Sequence, residues 1–222
     1  MNDDHEMPIP FTEKIPTLPP RLILILGGAR SGKSAFAERL AASSGQPVAF
    51  IATATASDDE MRARIARHRA SRPRDWHTLE EPLDLASAVR QASELADVLL
   101  LDCITLWLGN VLLQESGHPE KDNEAEFHTA SKLFDERALK EIEALLAVVK
   151  SLAPRKTLIA VTNEVGLGIV PAYPLGILYR DTLGYVNQRL AQAADRVYLM
   201  VAGIAIDIKR LREEASLSSG LS

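Results

Sequence analysis

One eight-residue motif limits what this chain can fold into. Residues 27–34 read Gly-Gly-Ala-Arg-Ser-Gly-Lys-Ser and fit the pattern G-x-x-x-x-G-K-[ST] in full. A continuous apolar run at residues 22–26 precedes the motif, and a helix-favouring segment at residues 34–42 follows it. In that context, glycine-rich loops direct backbone N–H groups and the positive end of a helix dipole at phosphate oxygens. The motif therefore predicts a phosphate-binding loop, here called the cradle, rather than a glycine-rich turn without a ligand.

The residue types around the cradle indicate how a nucleoside triphosphate is held. The ammonium group of Lys33 is expected to reach the terminal phosphates, and the hydroxyl of Ser34 to ligate Mg²⁺. The second magnesium element of such proteins is an acid at the end of a buried strand, and Asp102 follows the apolar run at residues 98–101. The alternative role of Asp102 is to cap the next helix, and one side chain can do both.

Short apolar strands alternate with helices along the rest of the chain. We predict strands at residues 22–26, 48–52, 98–101, 157–161, 197–201 and 204–208. We predict helices at residues 34–42, 58–72, 83–95, 106–113, 124–152 and 175–194. This alternation is typical of an α/β fold of the P-loop NTPase type, with a mostly parallel sheet and helices on both faces. Ligands in such sheets bind beyond the carboxyl ends of the strands, so the cradle and Asp102 should share one edge.

Length and composition narrow the domain organisation. The 222 residues, 46% of them apolar, are enough for one core, and we predict one catalytic domain at residues 21–222. Residues 1–20 hold five prolines and no apolar period, which predicts an extended or disordered leader. An N-terminal arm docked on the body is the alternative for this leader.

Charge and cysteine content exclude several classes of function. The net charge of −5 argues against a nucleic-acid partner, and the sequence has no apolar run long enough to span a membrane. The single cysteine, Cys103, excludes an intramolecular disulfide and disfavours a zinc site. Because the acidic, proline-rich start is unlike a secretory signal, we expect a cytoplasmic protein.

The predicted helix at residues 58–72 carries a histidine that is a candidate nucleophile. Met61, Ile65, His68 and Arg72 recur at helical spacing, and the two apolar residues mark their shared face as inward. His68 is then expected to point toward the body among arginines, which disfavour its cationic form. A neutral imidazole is a nucleophile that can attack phosphorus. Spacing alone leaves open the alternative of an ordinary histidine on a half-exposed helix.

Further motifs accompany the cradle in a combination that resembles one family. They are Ile51-Ala52-Thr53-Ala54, Asp58-Asp59-Glu60-Met61, Arg67-His68-Arg69, Arg72-Pro73, Asp102-Cys103-Ile104-Thr105, residues 162–171 and Val186-Asn187-Gln188-Arg189. The set is similar to that of the bifunctional adenosylcobinamide kinase/adenosylcobinamide-phosphate guanylyltransferases of cobalamin biosynthesis, over residues 21–209. A cradle alone fits many families, and the segments at residues 58–61 and 162–166 make this resemblance specific.

The resemblance implies two reactions at one site. A nucleoside triphosphate, ATP or GTP, phosphorylates adenosylcobinamide, and GTP then gives GMP to adenosylcobinamide phosphate through a GMP-histidine, with release of pyrophosphate. Carried over to this chain, the nucleophile is His68. The resemblance also implies Mg²⁺, these two corrinoids as small-molecule substrates, and a homo-oligomer, with a trimer as the expected assembly.

The resemblance also assigns residues to the site. The catalytic residues are His68 and Lys33, and the metal-binding residues are Ser34 and Asp102. The nucleotide contacts are Gly27, Gly28, Ala29, Arg30, Ser31, Gly32, Lys33, Ser34, Ala52, Thr53, Ala54, Arg69, Ala70, Ser71, Arg72, Glu80 and Asp102. For Glu80 the alternative is a solvated acid beside Glu81, and Glu164 is left unassigned between a substrate contact and a capping acid.

Two other functions remain as alternatives. One is a different P-loop kinase of a small metabolite, in which His68 is passive. The other is a nucleotide-driven switch or nucleic-acid motor, against which the net charge of −5 argues.

Overall fold

The computed structural model describes residues 20–55, 62, 72–115 and 124–212. Four predicted features lie wholly or largely outside the described residues: the leader, most of the helix at residues 58–72, the loop at residues 116–123 and the tail from residue 213. The site residues that lie outside them are His68, Arg69, Ala70 and Ser71.

Seven strands form one sheet across the described residues. They are β1 (Leu22–Gly27), β2 (Val48–Ala52), β3 (His77–Glu80), β4 (Val98–Asp102), β5 (Thr157–Val161), β6 (Arg196–Val201) and β7 (Ile204–Asp207). Their order is β3-β2-β4-β5-β1-β6-β7. All neighbours pair in parallel except β6 and β7, which are antiparallel. The predicted fold class, a mostly parallel sheet of the P-loop NTPase type, is therefore confirmed.

Five helices of at least 11 residues are defined in the same part of the chain. They are α1 (Lys33–Ser43), α2 (Leu85–Leu95), α3 (Ile104–Glu115), α4 (Glu124–Ser151) and α5 (Pro174–Ala193). Each corresponds to a predicted helix. Among the described residues, none of the helices combines the length and apolar character that crossing a membrane requires.

The helices pack on both faces of the sheet because β1 alternates its side chains between two cores. Leu22 and Leu24 belong to the larger core, which also contains buried residues of α2, α3, α4 and α5. Ile23 and Ile25 belong to the second core, where Phe36 of α1 packs. Burying one such aliphatic side chain contributes about 1.5–3 kcal/mol to stability. Because β1 packs on both of its faces, the strand that leads into the cradle is held firmly in place.

The structure corrects two details of the sequence prediction. β3 was not predicted; it lies at the edge of the sheet and pairs only with β2. Helix α2 begins at Leu85 rather than at residue 83, because the carboxylate of Asp84 accepts a hydrogen bond from the N–H of Ser87 at 2.8 Å. That N-cap sets the start of the helix.

Candidate nucleotide-binding site

The cradle connects the end of β1 directly to the start of α1. Gly27 has a φ of 154° and Gly32 a φ of 91°, conformations that favour glycine. A Cβ atom on Gly27 would lie 2.5 Å from the carbonyl oxygen of Met200 and 2.9 Å from Oγ of Ser31. The close approach of β6 therefore requires glycine at the first position of the motif.

Lys33 is the first residue of α1, and its ammonium group turns back over the cradle. Its Nζ donates a hydrogen bond to the carbonyl oxygen of Gly28 at 2.6 Å and lies 3.5 Å from Oγ of Ser31. The residue is only 8% exposed. Burial lowers the pKa of Lys33, and the negative charge of the nearby Asp102 carboxylate opposes that shift. A cation withdrawn from water is unfavourable alone and is stabilised by an anionic ligand such as phosphate.

The strand register brings the predicted acids to the edge where the cradle begins. In register, Glu80 pairs with Ala52, Ala52 with Asp102, and Asp102 with Val161. Val161 in turn pairs with Ile25 of β1, two residues before Gly27. This row runs across five strands at their carboxyl ends, as predicted for Asp102 and the cradle.

A cavity of about 560 Å³ opens above this edge. Its volume is in the range of small-molecule and cofactor sites. The predicted site residues that line it are Ala29, Arg30, Ser31, Gly32, Lys33, Ser34, Ala52, Ala54, Arg72, Glu80 and Asp102. Gly27, Gly28 and Thr53 do not line the cavity; Gly27 and Thr53 are buried, whereas Gly28 is exposed.

Several wall residues were not in the predicted site. They are Ala35, Phe50, Cys103, Leu106, Val161 and Asn163. The Arg72 guanidinium carbon lies 3.3 Å from the centroid of the Phe50 ring, a cation–π contact that holds a positive group at the wall. Phe50 reads from the sequence as an ordinary core residue of a strand. The position of Asn163 could have indicated a site residue, because it directly follows a predicted strand and ligands bind beyond the carboxyl ends of such strands.

The oxygen atoms at the cavity suit a magnesium ion. Ser34 and Asp102 both line it, and hydroxyl and carboxylate oxygens are the ligand types that Mg²⁺ prefers. Mg²⁺ commonly takes only one or two protein groups and completes its octahedron with water and substrate phosphates. This donor set therefore fits Mg²⁺ bound together with a triphosphate.

The end of β4 is fixed by a buried threonine. The Asp102–Cys103 peptide bond is cis, and Thr53, at 0% exposure, bonds with its hydroxyl to both backbone groups of Cys103. Burial raises the pKa of the Cys103 thiol to about 12, and the charge of Asp102 adds to the rise. The thiol is therefore protonated at neutral pH and is unsuited to act as the nucleophile.

Comparisons with known proteins found one matching family and several similar proteins. The family described as "Cobinamide kinase / cobinamide phosphate guanyltransferase" matches residues 23–208, which include the cradle, Asp102 and Asn163. The bifunctional adenosylcobalamin biosynthesis protein CobP of Pseudomonas aeruginosa is 47% identical over 186 residues, covering 84% of this chain and 96% of that protein. The bifunctional adenosylcobalamin biosynthesis proteins CobU of Escherichia coli and Salmonella typhimurium are 42% and 44% identical, each covering 85% of this chain and 99% of its own length.

Proposed function

The chain belongs to the cobinamide kinase/cobinamide phosphate guanyltransferase family, and we propose that both of its reactions use the one triphosphate site at the cradle. The protein is a bifunctional enzyme of adenosylcobalamin biosynthesis. It phosphorylates adenosylcobinamide, and it transfers GMP from GTP to adenosylcobinamide phosphate, which gives adenosylcobinamide-GDP and pyrophosphate. The observation that carries the shared site is that Lys33, Ser34 and Asp102 line a single cavity.

In the first reaction, the cradle holds ATP or GTP so that its terminal phosphorus faces the acceptor. The hydroxyl oxygen of adenosylcobinamide forms a bond to the γ-phosphorus and loses its proton to solvent. The bond from that phosphorus to the β–γ bridging oxygen breaks, and the nucleoside diphosphate leaves with the electron pair. The ammonium of Lys33 and the cradle N–H groups stabilise the charge on the phosphate oxygens. Ser34 and Asp102 would hold Mg²⁺, whose charge neutralises the β- and γ-phosphates when it is bound.

In the second reaction, His68 attacks GTP at its α-phosphorus. A nitrogen–phosphorus bond forms, and the bond to the bridging oxygen breaks, so that pyrophosphate leaves. A phosphate oxygen of adenosylcobinamide phosphate then attacks the same phosphorus and returns the electron pair to the imidazole. Splitting the transfer into two displacements is the advantage of covalent catalysis.

The chain segments next to His68 support this role. Ala54 and Arg72 both line the cavity, and the segment that carries His68 connects them along the chain. The Arg72 guanidinium, stacked on Phe50, supplies a cation that can hold a phosphate in line for attack.

Label transfer from GTP tests the shared site. With adenosylcobinamide as acceptor, γ-labelled GTP should label adenosylcobinamide phosphate, and α-labelled GTP should label adenosylcobinamide-GDP. Lys33→Ala should lower both transfers by at least about 100-fold, because both need the triphosphate held. Lys132→Ala, which removes an exposed lysine of α4, is the matched control and should leave both unchanged. Survival of either transfer in Lys33→Ala would contradict a shared site.

We also propose that the chain assembles as a homotrimer, which rests on the family resemblance. Sedimentation equilibrium should give three times the chain mass of 24.3 kDa. A concentration-independent mass of one chain would contradict this assembly.

A further inference from the structure

Asn163 occupies a central position at the site edge. It follows β5, the strand that lies between the cradle strand β1 and the Asp102 strand β4, and it lines the cavity. The N–H groups of its neighbours Thr162 and Glu164 donate to the carbonyl oxygens of Ile25 at 2.9 Å and Gly27 at 3.0 Å. The pairing with β1 therefore continues past the end of β5 and holds Asn163 beside the start of the cradle.

Three buried polar side chains, which we call the brace, hold the backbone of Asn163 from the other side. Its N–H donates to Oγ1 of Thr105 at 2.7 Å, and its carbonyl oxygen accepts from Nδ2 of Asn187 at 3.0 Å. The hydroxyl of Thr162 donates to Oδ1 of Asn187 at 2.8 Å, which fixes the amide of Asn187. Thr105, Thr162 and Asn187 are 8%, 0% and 5% exposed. Burying polar groups costs free energy unless they are hydrogen-bonded. The bonds of the brace pair these buried groups with one another and with the backbone of Asn163, and they thereby fix the position of that residue.

The side chain of Asn163 is left available to a ligand. Within the described residues, its amide forms no hydrogen bond, although both backbone groups are paired. It shares the cavity wall with the cation Lys33 and the anion Asp102. A side-chain amide offers two N–H donors and one oxygen acceptor without adding charge. Such a group can donate to a phosphate oxygen between a cation and a carboxylate that binds metal.

We infer that Asn163 is a substrate-binding residue whose side-chain N–H group donates to the terminal phosphate of the bound triphosphate, and that the brace positions it. This inference rests on the proposed function of the cradle. The terminal phosphate is the partner because Lys33, which reaches it in loops of this kind, lies on the same wall. When the acceptor oxygen bonds to the γ-phosphorus and the β–γ bridging bond breaks, the donated hydrogen bond stabilises the charge on the γ-oxygens.

Binding of triphosphate and diphosphate to variants of Asn163 tests the contact. GDP occupies the same cradle but lacks the terminal phosphate, so it is the internal control. Asn163→Asp replaces both donors by a repelling charge and should weaken binding of the non-hydrolysable triphosphate guanosine 5′-(β,γ-imido)triphosphate by at least about 10-fold. GDP binding should be little changed. Asn163→Ser, the second variant in case the aspartate form does not fold, should show a smaller loss with the same selectivity.

A pair of brace variants tests the positioning role. Thr105→Val removes the acceptor for the Asn163 N–H and should reproduce the selective loss of triphosphate binding, whereas Thr105→Ser keeps the hydroxyl and should restore it. Equal changes for triphosphate and GDP in the Asn163 variants would overturn the inference while leaving the proposed function intact. A wild-type protein that binds neither nucleotide would instead contradict the proposed function.

Discussion

The hydroxyl of Thr53 bonds to both backbone groups of Cys103, donating to its carbonyl oxygen at 2.7 Å and accepting from its N–H at 2.8 Å. The residues are separated by 50 positions in the sequence, and the bonds join the loop after β2 to the residue that follows Asp102. The contact therefore fixes the backbone next to Asp102, which lines the cavity.

Replacing Thr53 should therefore destabilise the protein. Thr53→Val has nearly the same shape but leaves both groups of Cys103 without their partner, and we expect a loss of about 2–4 kcal/mol in the free energy of unfolding. Thr53→Ser keeps the hydroxyl and should lose only about 1 kcal/mol for the missing methyl group. Urea denaturation measures both variants. Equal stabilities for the valine and serine forms would show that the two hydrogen bonds contribute nothing.

The first two glycines of the cradle should differ in their tolerance of alanine. A Cβ on Gly27 meets the carbonyl oxygen of Met200 at 2.5 Å, whereas a Cβ on Gly28 meets no atom within 4 Å. Gly27→Ala must shift the backbone where the cradle begins, at a cost of about 1–3 kcal/mol, and should weaken GTP binding about 10-fold or more. Gly28→Ala is the matched comparison and should lose much less GTP affinity than Gly27→Ala, because its Cβ meets no protein atom. Isothermal titration calorimetry distinguishes them, and a reversed order would show that the shape of the cradle has been misassigned.

Asp97 should stabilise the fold in a pH-dependent way without affecting the site. Its carboxylate accepts from Lys156 Nζ at 2.9 Å and lies 3.2 Å from Nε of Arg155, at the end of β4 opposite Asp102. The hydrogen bond from Lys156 holds the pKa of Asp97 below its ordinary value of 3.8. For a carboxyl with a lowered pKa in the folded state, the stabilisation is present above the unfolded value and is lost as pH falls through the folded value.

Asp97→Asn should then be about 1 kcal/mol less stable than wild type at pH 7. The difference should begin to shrink near pH 3.8, where the carboxyl of the unfolded chain takes up its proton, and should disappear as pH falls through the lower pKa of the folded state. Denaturant unfolding at several pH values measures it, and GTP affinity at pH 7 serves as the control that should not move. A stability difference independent of pH would mean that the ion pair is not its cause.

Local sequence signals were enough to predict β1, the cradle and α1. The apolar run, the glycine pattern and the helix that follows are contiguous, and each element is stabilised by buried neighbours that its own residues specify. β3 (His77–Glu80) was missed because its side chains are mostly polar and exposed. Its strand conformation depends on pairing with β2, whose Ala49 lies opposite His77, and no short-range pattern reports that contact.

The site residues also fall into two groups, those that local sequence signals predict and those that depend on contacts between distant parts of the chain. Lys33, Ser34 and Asp102 were predicted to share an edge because their chemistry follows from a motif and from the end of an apolar strand. The polar brace was not predicted, because Thr105, Thr162 and Asn187 are ordinary polar residues when read singly. Their hydrogen bonds join positions up to 58 residues apart, so their role appears only when the sheet and helices have formed.

GTP bound at the cradle should donate GMP to His68, and peptide mass spectrometry after exposure to GTP detects the modified residue. The protein is incubated with GTP and Mg²⁺ without acceptor and digested under alkaline conditions, because a nitrogen–phosphorus bond is acid-labile. His77→Ala is the matched control, since this exposed histidine starts β3 at the end opposite the cavity, and it should be labelled as wild type is. One GMP is expected on the wild-type peptide that contains His68, and it should be absent from the His68→Ala protein. An unlabelled wild-type protein, together with a His68→Ala form that retains full guanylyl transfer, would contradict the transfer of GMP to His68.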